Sequence, residues 1–337
     1  ADGASAGILF KELDGVVAGR AHELTPLDIG FRDYLLAERQ WRDTARYRED
    51  RRYWTDRVDT LPAAPSLPLR QGGPARGPAR FRRHSLHLSS GRWATFRAHA
   101  VSHGVTPTSG LLAVYASVIR RWSRQPAFSL NLTLLNRMPI HPQVDRLVGD
   151  FTSVGILEVQ PVTGDVASQA RALGAQLFAD LDHRLFSGVE TVREIARRHG
   201  REAALMPVVF TGAISTQSTE IPASGRKPGY GITQTPQVLL DCQAGDGPDG
   251  LTVHWDVRQN VFPDGMVDDR FAAFEEAIGR LADDAEAWRT PCNIALPSWQ
   301  REERDAVNAT ASPSEARLLH TDIVAQAARL PDKIAVV

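Results

Sequence analysis

Between Leu61 and Arg80 stand Pro62, Pro65, Pro68, Gly72, Gly73, Pro74, Gly77 and Pro78. Neither a helix nor a central strand survives that density, because proline has no amide to donate and glycine loses the most freedom on ordering. The segment reads as a crossover linker, and it divides the chain into stretches of different periodicity. Before it, Ile8, Leu9, Leu13 and Val16 recur at helical spacing over residues 5–20, and Pro26 to Trp54 predicts two further amphipathic helices broken near Arg42–Thr44.

Beyond the linker, Ser89 or Ser90 is suited to cap a helix that buries Trp93, Phe96 and Ala100 and stops before Gly104. Pro107 and Thr108 open another, carrying Leu111, Leu112, Tyr115, Ile119 and Trp122. Short apolar runs at Phe128–Leu135, Thr152–Val159 and Pro207–Ala213 predict strands, with a helix marked by Val166, Ala170, Leu173, Leu177 and Leu181 between the last two. Gln237–Gln243 and Leu251–Arg258 flank the turn-rich Gly245–Gly250 and predict a hairpin, with Gln237, Leu239 and Asp241 on one face of its first arm. A helix follows over Phe271–Leu281, and a boundary is expected near residue 300, where Pro291 and Pro297 change the register. Alternating helices and strands imply an α/β fold.

Lys and Arg (39) nearly balance Asp and Glu (40), so no summed field favours nucleic acid. No apolar run reaches the length of a membrane span, and Asp2, Lys11, Glu12 and Asp14 interrupt the place of a signal peptide, so a cytoplasmic location without membrane association is expected. Cys242 and Cys292 lie far apart and away from any His at ligand spacing, which predicts buried free thiols and no metal site. His141 and Asp145 form an H-x-x-x-D string that reads as a surface loop. The common nucleotide, hydrolase and zinc motifs are missing from the sequence. Taken from the residues alone, Asp241 is a hairpin carboxylate paired with an Arg, and Thr211 is an ordinary strand residue.

Five segments in order resemble the signature blocks of heterocyclization domains, a subgroup of the condensation-domain family of nonribosomal peptide synthetases. Leu61-Pro-Ala-Ala-Pro-Ser-Leu-Pro-Leu69 resembles the proline-rich crossover, and Thr106-Pro-Thr108 through Trp122 the helix block that follows. Gly149-Asp150-Phe151-Thr152 resembles the subgroup's G-D-F-T, which stands where amide-forming relatives have G-x-F-x-N. Pro207-Val-Val-Phe-Thr211 and Thr233-Gln-Thr-Pro-Gln-Val-Leu-Leu-Asp241, with Trp255-Asp256 after thirteen further residues, match the last two blocks. Asp2-Gly-Ala-Ser5 is similar to the end of the D-x-x-x-x-D motif, so Asp2 would be its second aspartate. Asn308-Ala-Thr, Leu318 to His320 and Pro331 to Val337 resemble the opening of an adenylation domain.

The resemblance implies a chloramphenicol-acetyltransferase-like fold, a two-lobed α/β sandwich with its first lobe incomplete. Residues 1–60 would end the N-terminal lobe, 61–80 link, 81–297 form the C-terminal lobe, and 298–337 begin an adenylation domain. It implies an enzyme that joins two carrier-bound thioesters as an amide and then cyclodehydrates a Cys, Ser or Thr side chain to a thiazoline or oxazoline. Asp241, Thr211 and Asp2 would be catalytic; Gln237, Thr152 and Asp150 would bind substrate. No cofactor would be bound directly. 4'-Phosphopantetheine would arrive on upstream and downstream peptidyl carrier proteins, with the adenylation domain as neighbour. The stretch present here is expected to be inactive by itself. An ordinary condensation domain, a non-catalytic docking domain of the same fold and a free-standing acyltransferase are the alternatives.

Overall fold

The computed structural model describes residues 2–70, 79–214, 231–311, 318 and 320–334. The chain separates into two compact units, Ala1–Ile294 and Ala295–Val337.

The larger unit opens with α1 (Gly3–Val17), α2 (Phe31–Trp41) and α3 (Ala45–Arg57), as the early periodicity predicts. Six strands follow: β1 (Phe81–Ser89), β2 (Phe128–Leu135), β3 (Thr152–Val159), β4 (Val208–Ala213), β5 (Leu240–Gly247) and β6 (Gly250–Arg258). They form one mixed sheet in the order β1-β6-β5-β4-β2-β3, in which β4 runs parallel to β2 and β5 and the other neighbours are antiparallel. The helices α4 (Ser90–Ser102), α5 (Pro107–Trp122), α6 (Val166–Asp182), α7 (Gly188–His199) and α8 (Met266–Asp283) complete the unit.

Period-two alternation decides which side of the sheet is core. Leu240, Cys242 and Ala244 of β5 and Leu251, Val253, Trp255 and Val257 of β6 are buried in the main apolar cluster with α4, α5 and α8. Trp255 sits among Tyr115, Phe271 and Phe274 with ring centroids 5.3–5.5 Å apart, in edge-to-face and tilted arrangements that aromatic quadrupoles favour. α5 is buried along most of its length; Thr106 caps it by accepting the Ser109 amide, and Pro107 occupies its first turn. The other face of β5 and β6 carries Asp241, Gln243, Thr252, His254 and Asp256, and so is polar.

Three elements differ from the sequence expectation. β1 reads poorly because Arg83, Ser85 and His87 stand on the polar face while only Leu86 and Leu88 alternate into the core. α7 has few apolar residues, yet Ser187 and Glu190 form a reciprocal capping box that marks its start in the sequence. The hairpin arm begins at Leu240, three residues later than predicted, because Pro236 cannot join a ladder and Val238 instead closes a turn on the Thr235 carbonyl. At the other end the strands run to Gly247 and Gly250, where φ is +122° and a Cβ would lie 2.0 Å from the Leu88 carbonyl oxygen; only glycine fits.

The described part of the linker, residues 61–70 with 79 and 80, has no helix or strand and is tied to the sheet by Ser129, whose amide and hydroxyl donate to the Ala63 and Pro62 carbonyls. Cys242 is a buried free thiol and Cys292 a partly buried one. No helix among the described residues is long and apolar enough to cross a membrane. In the smaller unit, α9 (Ser298–Asn308) and α10 (Thr321–Arg329) bury no residue. Much of the adenylation-like tail, residues 312–317, 319 and 335–337, lies outside the described residues.

Candidate active site

Strand register brings the polar groups together. Asp241 lies opposite Asp256 across the β5–β6 ladder and beside Val209 on β4; Gln243, two residues on and therefore on the same face, lies opposite His254 and beside Thr211. Asp256 in turn pairs in register with Arg83 on the edge strand β1.

Asp256 is fully buried, and Arg83 grips it with two parallel hydrogen bonds, Nε to Oδ1 at 2.7 Å and Nη2 to Oδ2 at 2.6 Å. A bidentate guanidinium is the partner that best offsets the cost of a buried carboxylate. The Thr233 amide adds a third hydrogen bond at 2.7 Å. Asp241 is 6% exposed and, among the described residues, has no such cation in contact. The Gln243 amide donates to its Oδ2 at 2.8 Å, while its buried Oδ1 finds no hydrogen-bond partner among the described residues. Burial pushes the Asp241 carboxyl above the usual carboxylate range and the charge of Asp256 pushes the same way, against the hydrogen bonds of Gln243 and Thr233 and the more distant Arg83. A carboxyl whose surroundings raise its proton affinity in this way is suited to carry a proton in acid–base chemistry.

Gln243 is one residue that sequence reasoning missed. Its amide nitrogen reaches Asp241, Thr233 Oγ1 and, at 3.3 Å, Asp256. The period-two rule that faces Gln237 with Asp241 also faces Gln243 with it, and would have found it. Gln237 itself stands in the exposed turn before β5 rather than on the strand, so the expectation that it shares a strand face with Asp241 is corrected. Beside the cluster, a polar groove of about 510 Å³ is lined by Arg83, Ser85, His254, Phe81, Gly231 and Gln259 among others. Ser85 Oγ and His254 Nδ1 are 2.9 Å apart along it. Burial, with Arg83 nearby, holds His254 below the ordinary imidazole value.

The remaining predicted residues form a second cluster. Asp2 caps α1, accepting the Ser5 amide at 2.7 Å on Oδ1 and the Phe151 amide at 3.1 Å on Oδ2, while Arg137 donates to Oδ1 at 3.2 Å. Its burial tends to raise the carboxyl, but Ser5, Phe151 and Arg137 together hold it below its ordinary value. Arg137, absent from the sequence expectation, also donates to the Val144 and Leu147 carbonyls and stacks over Phe151 at 4.0 Å. Gly149 approaches Phe31 so closely that a Cβ would lie 2.3 Å from its ring, and its carbonyl accepts from the Asp2 amide and the Ser5 hydroxyl. The two resembling blocks around Asp2 and Gly149–Thr152 are thus one interlocked unit. Asp150 and Thr152 are exposed, and Asp150 Oδ1 accepts the Thr152 amide at 3.1 Å as β3 begins. Among the described residues no hydrogen bond or ion pair joins this cluster to that of Asp241.

The Condensation domain family profile matches residues 1–290. Pyochelin synthetase PchF of Pseudomonas aeruginosa is 44% identical over 266 residues, which cover 78% of this chain and 15% of that protein. Phenyloxazoline synthase MbtB of Mycolicibacterium paratuberculosis is 38% identical over 291 residues, covering 85% and 25% respectively. The chain therefore spans a quarter or less of the length of these curated relatives. Among solved structures, the EpoB cyclization-docking bidomain from Sorangium cellulosum superimposes with a TM-score of 0.74 at 34% identity, covering 86% of this chain and 59% of that one.

Proposed function

The chain belongs to the condensation-domain family, and we propose that it serves a nonribosomal peptide synthetase as a heterocyclization domain with Asp241 as the proton carrier of the ring-forming step. The observation that carries this reading is the buried Asp241 carboxyl, raised above its ordinary range and set against the Arg83-bound Asp256 on a polar sheet face. The names of relatives at 44% and 38% identity, a pyochelin synthetase and a phenyloxazoline synthase, and a cyclization domain among the structural neighbours support the reaction class.

The substrates are two thioesters on the phosphopantetheine arms of upstream and downstream carrier proteins. After the amide has formed, the thiol or hydroxyl of the downstream Cys, Ser or Thr attacks its carbonyl carbon. A C–S or C–O bond forms, the attacking group loses its proton, and the carbonyl oxygen becomes the hydroxyl of a tetrahedral adduct. That hydroxyl then departs as water with one added proton, and the nitrogen gives up its hydrogen as the C=N bond closes. One carboxyl that first accepts a proton and then returns one serves both halves, provided its pKa lies nearer the working pH than an ordinary aspartate's does. Thr211, on the strand beside Gln243 and on the same face, orients the adduct hydroxyl. Asp2, with both oxygens already engaged, acts as an anchor for the Gly149–Thr152 turn rather than as a proton carrier. Asp150 and Thr152 line the approach of the substrate arm.

The test is intact-mass analysis of the carrier-bound product formed by the full-length protein from an acyl-carrier donor and a cysteinyl-carrier acceptor. Cyclization makes a product lighter than the linear amide by one water. With Asp241→Asn the linear amide accumulates and the ring does not form. Ring formation at the original rate by that variant would overturn the assignment of Asp241. A linear amide from the unmodified protein would mark an ordinary condensation domain, and no amide at all a docking one.

A further inference from the structure

The Gln243 side-chain amide is a neutral donor that reaches both carboxylates of the site. Its amide nitrogen lies 2.8 Å from Asp241 Oδ2 and 3.3 Å from Asp256 Oδ2, and it also donates to Thr233 Oγ1. Thr233 in turn donates its backbone amide to Asp256 at 2.7 Å, so the strap carrying Thr233 and both strands of the hairpin meet at one amide group. Across the sheet, Gln243 faces Thr211 on one side and His254 on the other. A glutamine on a polar sheet face has no need of three such acceptors for stability. Here its two amide hydrogens are shared among three acceptors, of which Thr233 Oγ1 and Asp241 Oδ2 lie nearer than Asp256 Oδ2.

We propose that Gln243 is a positioning residue for the ring-forming step, fixing the rotamer of Asp241 by holding Oδ2 against the sheet so that proton exchange is confined to the other oxygen. The inference rests on the assignment of Asp241 as proton carrier. A carboxyl free to rotate would expose either oxygen and would be displaced toward or away from Asp256 as it gained and lost a proton. The shared amide fixes one oxygen through the cycle, because an N–H donor serves a carboxylate oxygen and the carbonyl oxygen of a protonated carboxyl alike. Among the described residues, the charged and titratable groups around it are Asp256 and His254 on β6, Arg83 on β1, Cys242 on the same strand and Tyr115 of α5 behind the sheet. Arg83 is engaged with Asp256, and among the described residues the donors reaching Asp241 directly come from Gln243 and Thr233.

The experiment compares the full-length protein with Gln243→Met and Gln243→Glu, reading the ratio of ring to linear amide by intact mass from pH 5.5 to 9 with acyl-carrier and cysteinyl-carrier substrates. Loss of the donor raises the Asp241 carboxyl further, since that hydrogen bond works against the upward shift. In Gln243→Met the acid limb of ring formation therefore moves to higher pH, and at neutral pH the ratio of ring to linear amide falls at least tenfold. In Gln243→Glu, which keeps the shape and adds a third carboxyl, the limb moves further the same way. A purely structural glutamine would lower both steps together and leave the position of the limb unchanged; an unmoved limb in a folded variant overturns the proposal. Should Gln243→Met fail to fold by circular dichroism, Gln243→Glu decides by the same criterion. Asp241→Asn, run alongside, separates the two readings: ring formation surviving in Asp241→Asn removes the foundation, whereas its loss there combined with an unmoved limb in the Gln243 variants removes only the role of Gln243.

Discussion

Asp241 and Asp256 face each other directly across the β5–β6 ladder, and Arg83 binds Asp256 with two hydrogen bonds while, among the described residues, Asp241 receives neutral donors. Like charges directly opposite in an antiparallel pair are unfavourable, so the fold retains an arrangement that costs stability. Because the folded-state carboxyl of Asp241 is raised, the native chain holds a proton that the unfolded chain has already released. Stability contributed by this group is therefore lost as pH rises from the ordinary carboxylate value through the raised one, and the penalty grows over that range.

Asp241→Asn removes that penalty while keeping an acceptor for Gln243. Thermal and urea unfolding of the variant are expected to show a gain of about 1–2 kcal/mol at pH 7, shrinking as the pH is lowered toward 4. The same substitution abolishes ring formation, the usual opposition between a strained functional group and stability. A variant less stable than the parent at pH 7 would contradict the assigned direction of the shift.

Arg83 carries the converse prediction. Its side chain is largely buried, and its removal would leave Asp256 fully buried beside a second carboxyl without its ion-pair partner. Arg83→Met should cost about 3–5 kcal/mol, whereas adding Asp256→Leu to it should recover most of the loss, because breaking a buried pair is worse than replacing both members. Urea denaturation of the two single variants and the double variant completes the cycle; additive losses would show that the pair is not coupled.

How far the sequence reached is clearest on β5. The alternation of Leu240, Cys242 and Ala244 with Asp241 and Gln243 gives the core and the polar face without a structure, and the predicted strands at β2, β3 and β4 match closely. β1 was hidden because an edge strand beside a charged cluster carries arginine and histidine where a pattern reader expects apolar residues. The start of β5 was misplaced because the turn that follows Pro236, closed by the Val238 amide on the Thr235 carbonyl, takes up residues whose apolar character suits a strand. Arg83 and Arg137 were invisible for a different reason. Each completes a site through a partner more than 130 residues away, Asp256 and Asp2 respectively, and no local period encodes such a pairing.

Asp2 offers a prediction of opposite sign to Asp241. Its carboxyl is held below the ordinary range, so its contribution is present above the unfolded-state value and is lost as pH falls through the folded one. Hydrogen exchange of α1 should accelerate at acid pH before the sheet loosens. Asp2→Ala should produce the same local opening at pH 7, at a cost of about 1–3 kcal/mol, through loss of the α1 cap and of the Arg137 partner. Unchanged exchange in α1 would show that the cap and ion pair do not hold the helix.

Arg270 on α8 is fully buried, and among the described residues its Nε and Nη1 have no hydrogen-bond partner; Nη2 reaches only Met266 Sδ at 3.3 Å. The guanidinium lies over the Trp122 and Phe262 rings, 5.5 and 5.2 Å from their centroids, which offsets part of its desolvation through cation–π attraction. Burial drives its pKa down to about 9, so the group stays charged at neutral pH but holds its proton less tightly than an ordinary guanidinium does. A buried cation without an anion is a net cost that well-packed apolar atoms would not incur. Arg270→Met, which keeps most of the length and the contact with both rings, is expected to raise stability by about 1–4 kcal/mol without altering the ratio of ring to linear amide, since α8 packs behind the sheet from Asp241. Thermal unfolding checks the first part and intact-mass analysis the second. A destabilised variant would mean that the cation–π contacts outweigh desolvation at this position.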